Sequence, residues 1–227
     1  MSIPTKLKPV LYSICKDPSF QNQINDFNQG VIQWKDPSLI PVKIEIRKCL
    51  RKHQDERCYF CRRPIIAERR NMYEDIEHFL DKSKTEYRRW GIHPLNLTLS
   101  CKACNFEKST KDLGAKDVKA AKKHPPRSGT YRWLHPYFDD YDQNIKFERG
   151  PIYSPIAGAK KHLQATLLIK ELKLDDLKEI EKRKNEALDK IIRINEIVSK
   201  LISSGKRKTL QQKLMDYQKK CIIEGFI

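Results

Sequence analysis

Two pairs of cysteines with the same short spacing constrain the fold more than any other feature of this sequence. Cys58 and Cys61 lie in "CYFC", and Cys101 and Cys104 lie in "CKAC". A turn with two intervening residues lets two thiolates meet one tetrahedral ion, and two such turns complete a four-cysteine site of the structural zinc kind. Disulfide pairing is the alternative, which a reducing compartment disfavours. The spacing therefore predicts one structural Zn²⁺.

The 39 residues that separate the two cysteine pairs are too many for an ordinary zinc ribbon, so a folded piece is expected between them. "MYEDIEHF" (72–79) alternates in polarity and predicts a short strand. "NLTLSC" (96–101) predicts a second strand, and "NFEKSTKDL" (105–113) starts as a helix that should end near Gly114. The zinc would then join the ends of a strand-strand-helix unit.

The rest of the sequence predicts mainly helices. Together with the strand-strand-helix unit, these helices give the fold class α+β. Four prolines in the first 37 residues favour an irregular start, and Val42, Ile46 and Leu50 have the spacing of a helix between Pro37 and Arg57. From Ala165 to Ile202 an apolar stripe predicts long helices. The stripe is wider than one neighbouring helix needs, so a partner protein could cover part of it. We expect four regions, at 1–57, 58–113, 114–163 and 164–227.

The segment 129–153 is dense in aromatic and acidic residues. It favours a strand pair that packs on the zinc-stapled unit, with a platform on which nucleic-acid bases stack as the alternative. His135, Asp139 and Asp140 within it have metal-binding side chains, but a hydrogen-bonded turn is the favoured interpretation.

The charge balance indicates a polyanionic partner. Lys and Arg number 46 against 29 Asp and Glu, which gives a formal net charge of +17. Nucleic acid is the commonest partner of such a chain, and a merely solvated basic surface is the alternative. The sequence has no apolar run of membrane-spanning length and no signal peptide at its start. We therefore expect a cytoplasmic protein without a membrane partner.

"CYFC", "IEHF" and "NLTLSCKACNFEK", in this order, resemble the His-Asn-His (HNH) endonucleases that carry zinc knuckles. The resemblance covers about residues 58–113. It implies a ββα-metal core in which one divalent ion lies between the strands and the helix. It also implies hydrolysis of DNA phosphodiester bonds.

The resemblance assigns a role to each matching residue. His78 matches the general base that takes a proton from water. Glu77 matches the acidic metal ligand, and Asn105 matches the second metal ligand, at a position where the family name expects His. Asn96 matches the central Asn, which would steady the loop and orient the imidazole. Lys108 lies on the same helical face as Asn105 and would bind phosphate.

The ligand set indicates which ion this site would take. A carboxylate and an amide oxygen favour Mg²⁺ or Mn²⁺ over a softer metal. Asp75 and Asp81 flank the Glu77-His78 pair and could support the metal shell, although surface carboxylates are the favoured interpretation. Asn96 could instead be a strand-edge turn residue, and Lys108 could be solvated surface.

A second function from another class stays open. In a zinc-stapled nucleic-acid-binding module that cuts nothing, Glu77 and His78 would be structural. The joint presence of Glu77, His78, Asn96 and Asn105 favours the nuclease, because a pure binder has no need of all four.

Over its whole length the chain is similar to the PtuB-type nucleases of Septu-like and retron-associated anti-phage systems. "IEHFLDKSK", "HPYFDDYDQNI" and the helical tail carry this similarity, although those relatives often have Pro after "HF". The resemblance implies an antiviral role and an ATPase partner of the PtuA kind that gates the nuclease. A homodimer or a hetero-oligomer would follow.

Overall fold

The computed structural model describes residues 4–65, 67–68, 71–72, 74–148, 152–200 and 204–223. The chain divides into two compact units, one formed by residues 1–146 and 154–173 and the other by 147–153 and 174–227. The helices and strands, in chain order, are α1 (Tyr12–Cys15), α2 (Gln21–Gln29), α3 (Ile40–His53), β1 (Ala67–Glu68), β2 (Asn71–Met72), β3 (Glu74–His78), α4 (Thr85–Arg88), β4 (Leu97–Cys101), α5 (Lys102–Lys108), α6 (Lys116–Ala120), β5 (Ile145–Glu148), β6 (Ile152–Pro155), α7 (His162–Glu171), α8 (Asp176–Lys200) and α9 (Ser204–Ile223). The fold thus mixes helices with small two-stranded sheets.

The hairpin of β3 and β4 lies at the centre of the first unit. The strands are antiparallel, with Glu74 opposite Cys101 and His78 opposite Leu97. Both strands are buried along almost their whole length. Both faces of the hairpin are therefore covered, although the sequence alternates between apolar and polar residues. The two predicted strands are confirmed, although Tyr73 at the start of the first lies outside the described residues.

Helix α5 follows β4 without a loop, and a cysteine caps its first turn. The Sγ of Cys101 accepts a hydrogen bond from the backbone N–H of Cys104 at 3.5 Å. The helix ends at Lys108, earlier than the predicted stop near Gly114. Gly114 instead forms an isolated bridge with Tyr131, and a side chain at this glycine would meet the Tyr87 hydroxyl at 2.7 Å.

The expectation of an irregular start was wrong. Helices α1 and α2 contain no proline and form between the prolines, with lengths of 4 and 9 residues. Pro18 and Pro37 begin short 3₁₀ turns at 18–20 and 37–39, each capped by the preceding aspartate. Ile24 and Phe27 of α2 are buried, so the N-terminal segment contributes to the core.

Helix α3 supports the hairpin from one side. Its predicted apolar face, Val42, Ile46 and Leu50, is fully buried. Just beyond the helix, the Gln54 amide pairs with the backbone of Leu99 in both directions, at 2.8 and 3.0 Å. These bonds hold β4 against the end of the helix.

The aromatic segment belongs to the same unit as far as residue 146, whereas residues 147–153 belong to the second unit. Trp133 is buried, and the hydroxyl groups of Tyr137 and Tyr141 donate to the backbone carbonyls of Leu97 and Phe60. The predicted strand pair is present as β5 and β6, whereas burial of Trp133 disfavours a base-stacking platform there.

His135 within this segment forms a turn, as the favoured interpretation predicted. Its backbone N–H donates to the Asp139 carboxylate at 2.7 Å, and its ring stacks on Phe138 at 3.9 Å. Among the residues that the structure describes, His135 belongs to no group that could hold a metal ion.

In the second unit, α8 and α9 share a small apolar core of Ala187, Ile191 and Leu214. The predicted long helices are confirmed as far as Lys200, and residues 201 and 202 lie outside the described residues. Other apolar side chains of these helices remain exposed, namely Leu188, Ile192, Ile197 and Met215. Within the described part of the chain, no helix combines the length and the apolar character that crossing a membrane requires.

Candidate metal centres and catalytic residues

The four predicted cysteines come together in one cluster. The sulfur atoms of Cys58, Cys61, Cys101 and Cys104 all lie within 4.8 Å of one another, and those of Cys61 and Cys101 are 3.8 Å apart. A tetrahedral zinc site with Zn–S bonds of about 2.3 Å has S–S edges of about 3.8 Å. The cluster is therefore compatible with structural zinc, and it ties the loop at 58–61 to the junction of β4 and α5.

Close packing of the thiols in this cluster shifts the pKa values of three of them, and not all in the same direction. Hydrogen bonds from the other three thiols, that of Cys104 first, hold the pKa of Cys101 far below its usual value. Burial raises the pKa of Cys58, and the hydrogen bond with Cys101 raises that of Cys104. Four thiolates in so small a volume need a compensating cation, which a divalent metal supplies.

Glu77, the predicted metal ligand, is buried in an ion pair with Lys108. The Lys108 Nζ lies 2.7 Å from the Glu77 Oε1, and their side chains are 1% and 7% exposed. Burial raises the pKa of Glu77, and the charge of Lys108 opposes this shift. Lys108 was expected to bind phosphate or to be solvated surface, whereas here its ammonium group neutralises Glu77. Its role toward phosphate stays a prediction.

His78 is held as a neutral imidazole. Burial, together with the charges of Lys82, Lys108 and Arg88, lowers its pKa well below the usual value, while a hydrogen bond with the Gly91 backbone opposes the shift. Its Nε2 is buried and has no hydrogen-bond partner among the residues that the structure describes. A neutral imidazole with a free nitrogen suits a general base.

The aromatic rings of Trp34 and Phe27 pack against the His78 imidazole. The Trp34 ring lies edge-on, with its centroid 4.6 Å from that of His78 at an angle of 86°, and the Phe27 centroid is 6.4 Å away. In this conformation solvent does not reach the free nitrogen.

Asn96 anchors the loop that follows β3. Its Oδ1 accepts from the Leu80 N–H at 2.7 Å, and its Nδ2 donates to the carbonyls of Leu80 and Trp90 at 3.1 and 2.8 Å. The Asn96 carbonyl also accepts from the Phe79 N–H. The side chain thus steadies the loop next to His78 through the backbone and makes no direct bond to the imidazole.

Asn105 faces an acidic residue that sequence reasoning had placed at the surface. Its Nδ2 donates to the Asp75 Oδ2 at 2.8 Å, and Asp75 also pairs with Lys102 at 2.6 Å. Asp75 lies two residues before Glu77 on β3, so both side chains project from the same face of the strand. The alternation of side chains along the strand was the sequence signal that Asp75 could belong to the same site as Glu77.

Glu77, Asn105 and Asp75 line one cavity of about 430 Å³. Carboxylate and amide oxygens are the donors that Mg²⁺ and Mn²⁺ prefer, but here Glu77 is paired with Lys108 and the Asn105 amide donates to Asp75. The cavity wall also contains Trp34, Lys43 and Lys82, none of which sequence reasoning identified. No motif marks these residues, because they come from separate loops and helices that only the fold brings together.

Comparison of the chain with protein-family models, with curated proteins and with solved structures found no match.

Proposed function

We propose that this chain is a metal-dependent endonuclease of the HNH type that hydrolyses phosphodiester bonds in DNA. One observation carries the proposal: Glu77 and Asn105 line a single cavity, while the adjacent His78 keeps a neutral imidazole whose Nε2 has no partner in the described part of the chain. A buried nitrogen without a hydrogen bond costs free energy, so a functional reason for it is expected. The net charge of +17 supports a polyanionic substrate.

Each residue then has a distinct task. His78 takes the proton of the attacking water, for which a neutral imidazole is required. Glu77 and Asn105, with Asp75 beside them, would hold Mg²⁺ or Mn²⁺, whose charge stabilises the negative charge that develops at the phosphate. Asn96 keeps the loop at Leu80 and Trp90 in place behind the imidazole.

The described conformation has to change before this chemistry begins. Trp34 and Phe27 separate His78 from solvent, and the Lys108 ammonium group is paired with the Glu77 carboxylate. In the proposal, substrate and metal together displace Trp34 from the imidazole and Lys108 from the carboxylate. The free protein is then a resting state.

The same two contacts favour a second candidate function. A zinc-stapled module that binds nucleic acid without cutting it would need neither an accessible imidazole nor a free carboxylate at this position. In that case Glu77 and His78 contribute only to packing, and their replacement lowers stability rather than a reaction rate.

Plasmid nicking in Mg²⁺ separates the two functions. His78→Ala should abolish nicking while the zinc content and DNA affinity stay near wild type, because a general base acts in the chemical step. Glu77→Gln and Asn105→Ala should also abolish nicking, with partial recovery in excess Mn²⁺, because mass action refills a weakened metal site.

The matched control is His124→Ala, which removes an exposed histidine of the same unit. It should nick at the wild-type rate. Thermal melting of every variant shows whether lost activity reflects lost fold. Wild-type nicking by folded His78→Ala protein, or activity lost only through unfolding, contradicts the nuclease.

We also propose, from the resemblance to PtuB-type nucleases, that an ATPase partner gates this activity in anti-phage defence. The exposed apolar side chains of α8 and α9, including Leu188 and Ile192, leave surface in the second unit for such a partner. Co-purification of the chain with a PtuA-like ATPase tests this part of the proposal.

A further inference from the structure

The cavity beside Glu77 is larger than a metal site needs. Its volume is about 430 Å³, within the range of pockets that hold small organic ligands. Beyond the oxygen donors and three isoleucines, its wall contains an indole, two lysines and an arginine: Trp34, Lys43, Lys82 and Arg47. This composition suits a ligand that has both a flat ring, which the indole would contact, and negative charge, which the basic side chains would contact.

Trp34 is placed differently from the other two tryptophans. Trp90 and Trp133 are 1% and 0% exposed, whereas Trp34 is half-buried on the loop between α2 and the 3₁₀ turn at 37–39. Phe27 packs against one side of it, with ring centroids 5.3 Å apart. The rest of the indole forms part of the cavity wall.

The loop that carries Trp34 is fastened on its N-terminal side and at the Trp34 carbonyl, which accepts a hydrogen bond from the Lys43 Nζ at 2.9 Å. Gly30 ends α2 with a φ of +86°, a conformation that glycine adopts without strain. The Arg88 guanidinium donates to the carbonyls of Phe27 and Ile32 at 2.9 and 2.7 Å. The backbone that carries Trp34 is therefore held beside the cavity, so an indole that leaves His78 by side-chain rotation still faces a bound base.

Positive charge surrounds the indole. The Nζ atoms of Lys43 and Lys82 lie 5.2 and 5.8 Å from its centroid. Among the described residues neither lysine forms an ion pair with a carboxylate, since Glu77 is paired with Lys108 and Asp75 with Lys102. The Lys43 Nζ donates to the Trp34 carbonyl at 2.9 Å, and an anion in the cavity would give both lysines a charged partner.

We propose that Trp34, Lys43 and Lys82 form a subsite that binds one unstacked nucleotide of a single-stranded nucleic acid, with the base on the indole and neighbouring phosphates on the lysines. The inference rests on the proposed function, whose substrate class it narrows. A base within a duplex is already stacked on both faces, so an intact duplex cannot fill this subsite without unpairing. Single-stranded or locally unpaired DNA is therefore the preferred substrate.

The test compares two polymers that differ only in their bases. One is a short single-stranded oligodeoxynucleotide, and the other is a fully abasic sugar-phosphate strand of the same length. Binding to the full chain is measured at low salt without added Mg²⁺, so that neither polymer is cut, by intrinsic tryptophan fluorescence and by anisotropy of a labelled strand. Because Trp90 and Trp133 are buried, quenching by the base-containing strand reports Trp34.

Wild-type protein should bind the base-containing strand about 5- to 150-fold more tightly than the abasic strand, the range that stacking of one base provides. Trp34→Leu, which keeps an apolar side chain against Phe27, should lose this preference, and Trp34→Phe should retain most of it. Lys82→Ala should weaken binding of both polymers, and more so than Lys122→Ala, the control that removes an exposed lysine outside the cavity.

Equal wild-type affinity for the two polymers, or a preference that survives in folded Trp34→Leu, overturns the subsite. The wild-type comparison decides alone if the variants do not fold. Strong binding of both polymers without a base preference overturns the subsite but leaves the proposed nuclease standing. Absence of binding to either polymer overturns the subsite as well, and nicking of duplex plasmid then tests the proposed function separately.

Discussion

At the scale of residues, Glu77 and His78 are neighbours in the chain, but their side chains lie in different surroundings. Successive side chains of a strand point to opposite faces, so Glu77 enters the cavity with Asn105 while His78 turns toward Phe27 and Trp34. The charge of Glu77 is compensated by Lys108, which comes from α5. The carboxylate of the proposed metal site is thus held by an internal ammonium group.

Lys108→Met tests this competition. Breaking a buried ion pair by removing one partner should lower the free energy of unfolding by about 3–5 kcal/mol without metal, because Glu77 is left buried and uncompensated. Mg²⁺ or Mn²⁺ should then raise the melting temperature of the variant more than that of the wild type, since the ion no longer competes with Lys108. Thermal melting with and without metal measures both effects.

The matched control is Lys119→Met, which breaks the ion pair of Lys119 with Asp112, where the side chains are 32% and 36% exposed. A surface pair of this kind is worth at most about 1 kcal/mol. If the two variants lose equal stability, or if metal stabilises both alike, the Lys108 ammonium does not compete with the ion.

At the scale of elements, the hairpin and α5 depend on the cysteine cluster for their relative placement. The cluster joins the loop at 58–61 to the last residue of β4 and the first turn of α5. The backbone also links these pieces, because the Tyr59 N–H donates to the Leu99 carbonyl at 3.0 Å. Since α5 carries Asn105 and Lys108, loss of the cluster should disturb the site as well as the fold.

Protein purified without chelator should contain about one zinc ion per chain. Cys104→Ser should lower the zinc content and the melting temperature together, because binding free energy at such a site is also folding free energy. Elemental analysis and thermal melting measure the two quantities. Cys49→Ser is the control, since Cys49 lies outside the cluster and donates to the Val10 carbonyl. Less than about half a zinc per chain in wild-type protein would contradict the assignment.

At the scale of the whole molecule, the excess of basic residues is the dominant property. A net charge of +17 on 227 residues favours long-range attraction of polyanions. Part of this charge lies inside the first unit, where Lys108 and Arg51 are paired with Glu77 and Glu74. The remaining lysines and arginines form the electrostatic surface that a nucleic acid would meet.

DNA affinity should therefore depend steeply on salt. Raising the salt concentration from about 50 to 200 mM should weaken binding roughly a thousandfold if about six phosphates are contacted, because each contact releases counterions. The slope should be similar for unrelated DNA sequences, as phosphate contacts carry no sequence information. Fluorescence anisotropy at several salt concentrations measures it, and a flat response would show that the basic surface does not bind DNA.

Several features of this protein follow from the sequence by itself. The cysteine cluster, the two strands of the hairpin, the buried face of α3 and the long C-terminal helices were all predictable, because spacing and periodicity along the chain encode local geometry. The N-terminal helices were missed, because the spans between the prolines are long enough for the short helices α1 and α2.

Only the tertiary structure decided what surrounds the candidate site. It placed Trp34 against His78, the Lys108 ammonium on Glu77 and Asp75 beside Asn105. These pairs join residues that are far apart in the chain, and no periodicity specifies which of the many lysines, aromatics and carboxylates will meet. Burial then made the contacts matter, because a charge or a ring nitrogen removed from water has few partners other than those the fold supplies.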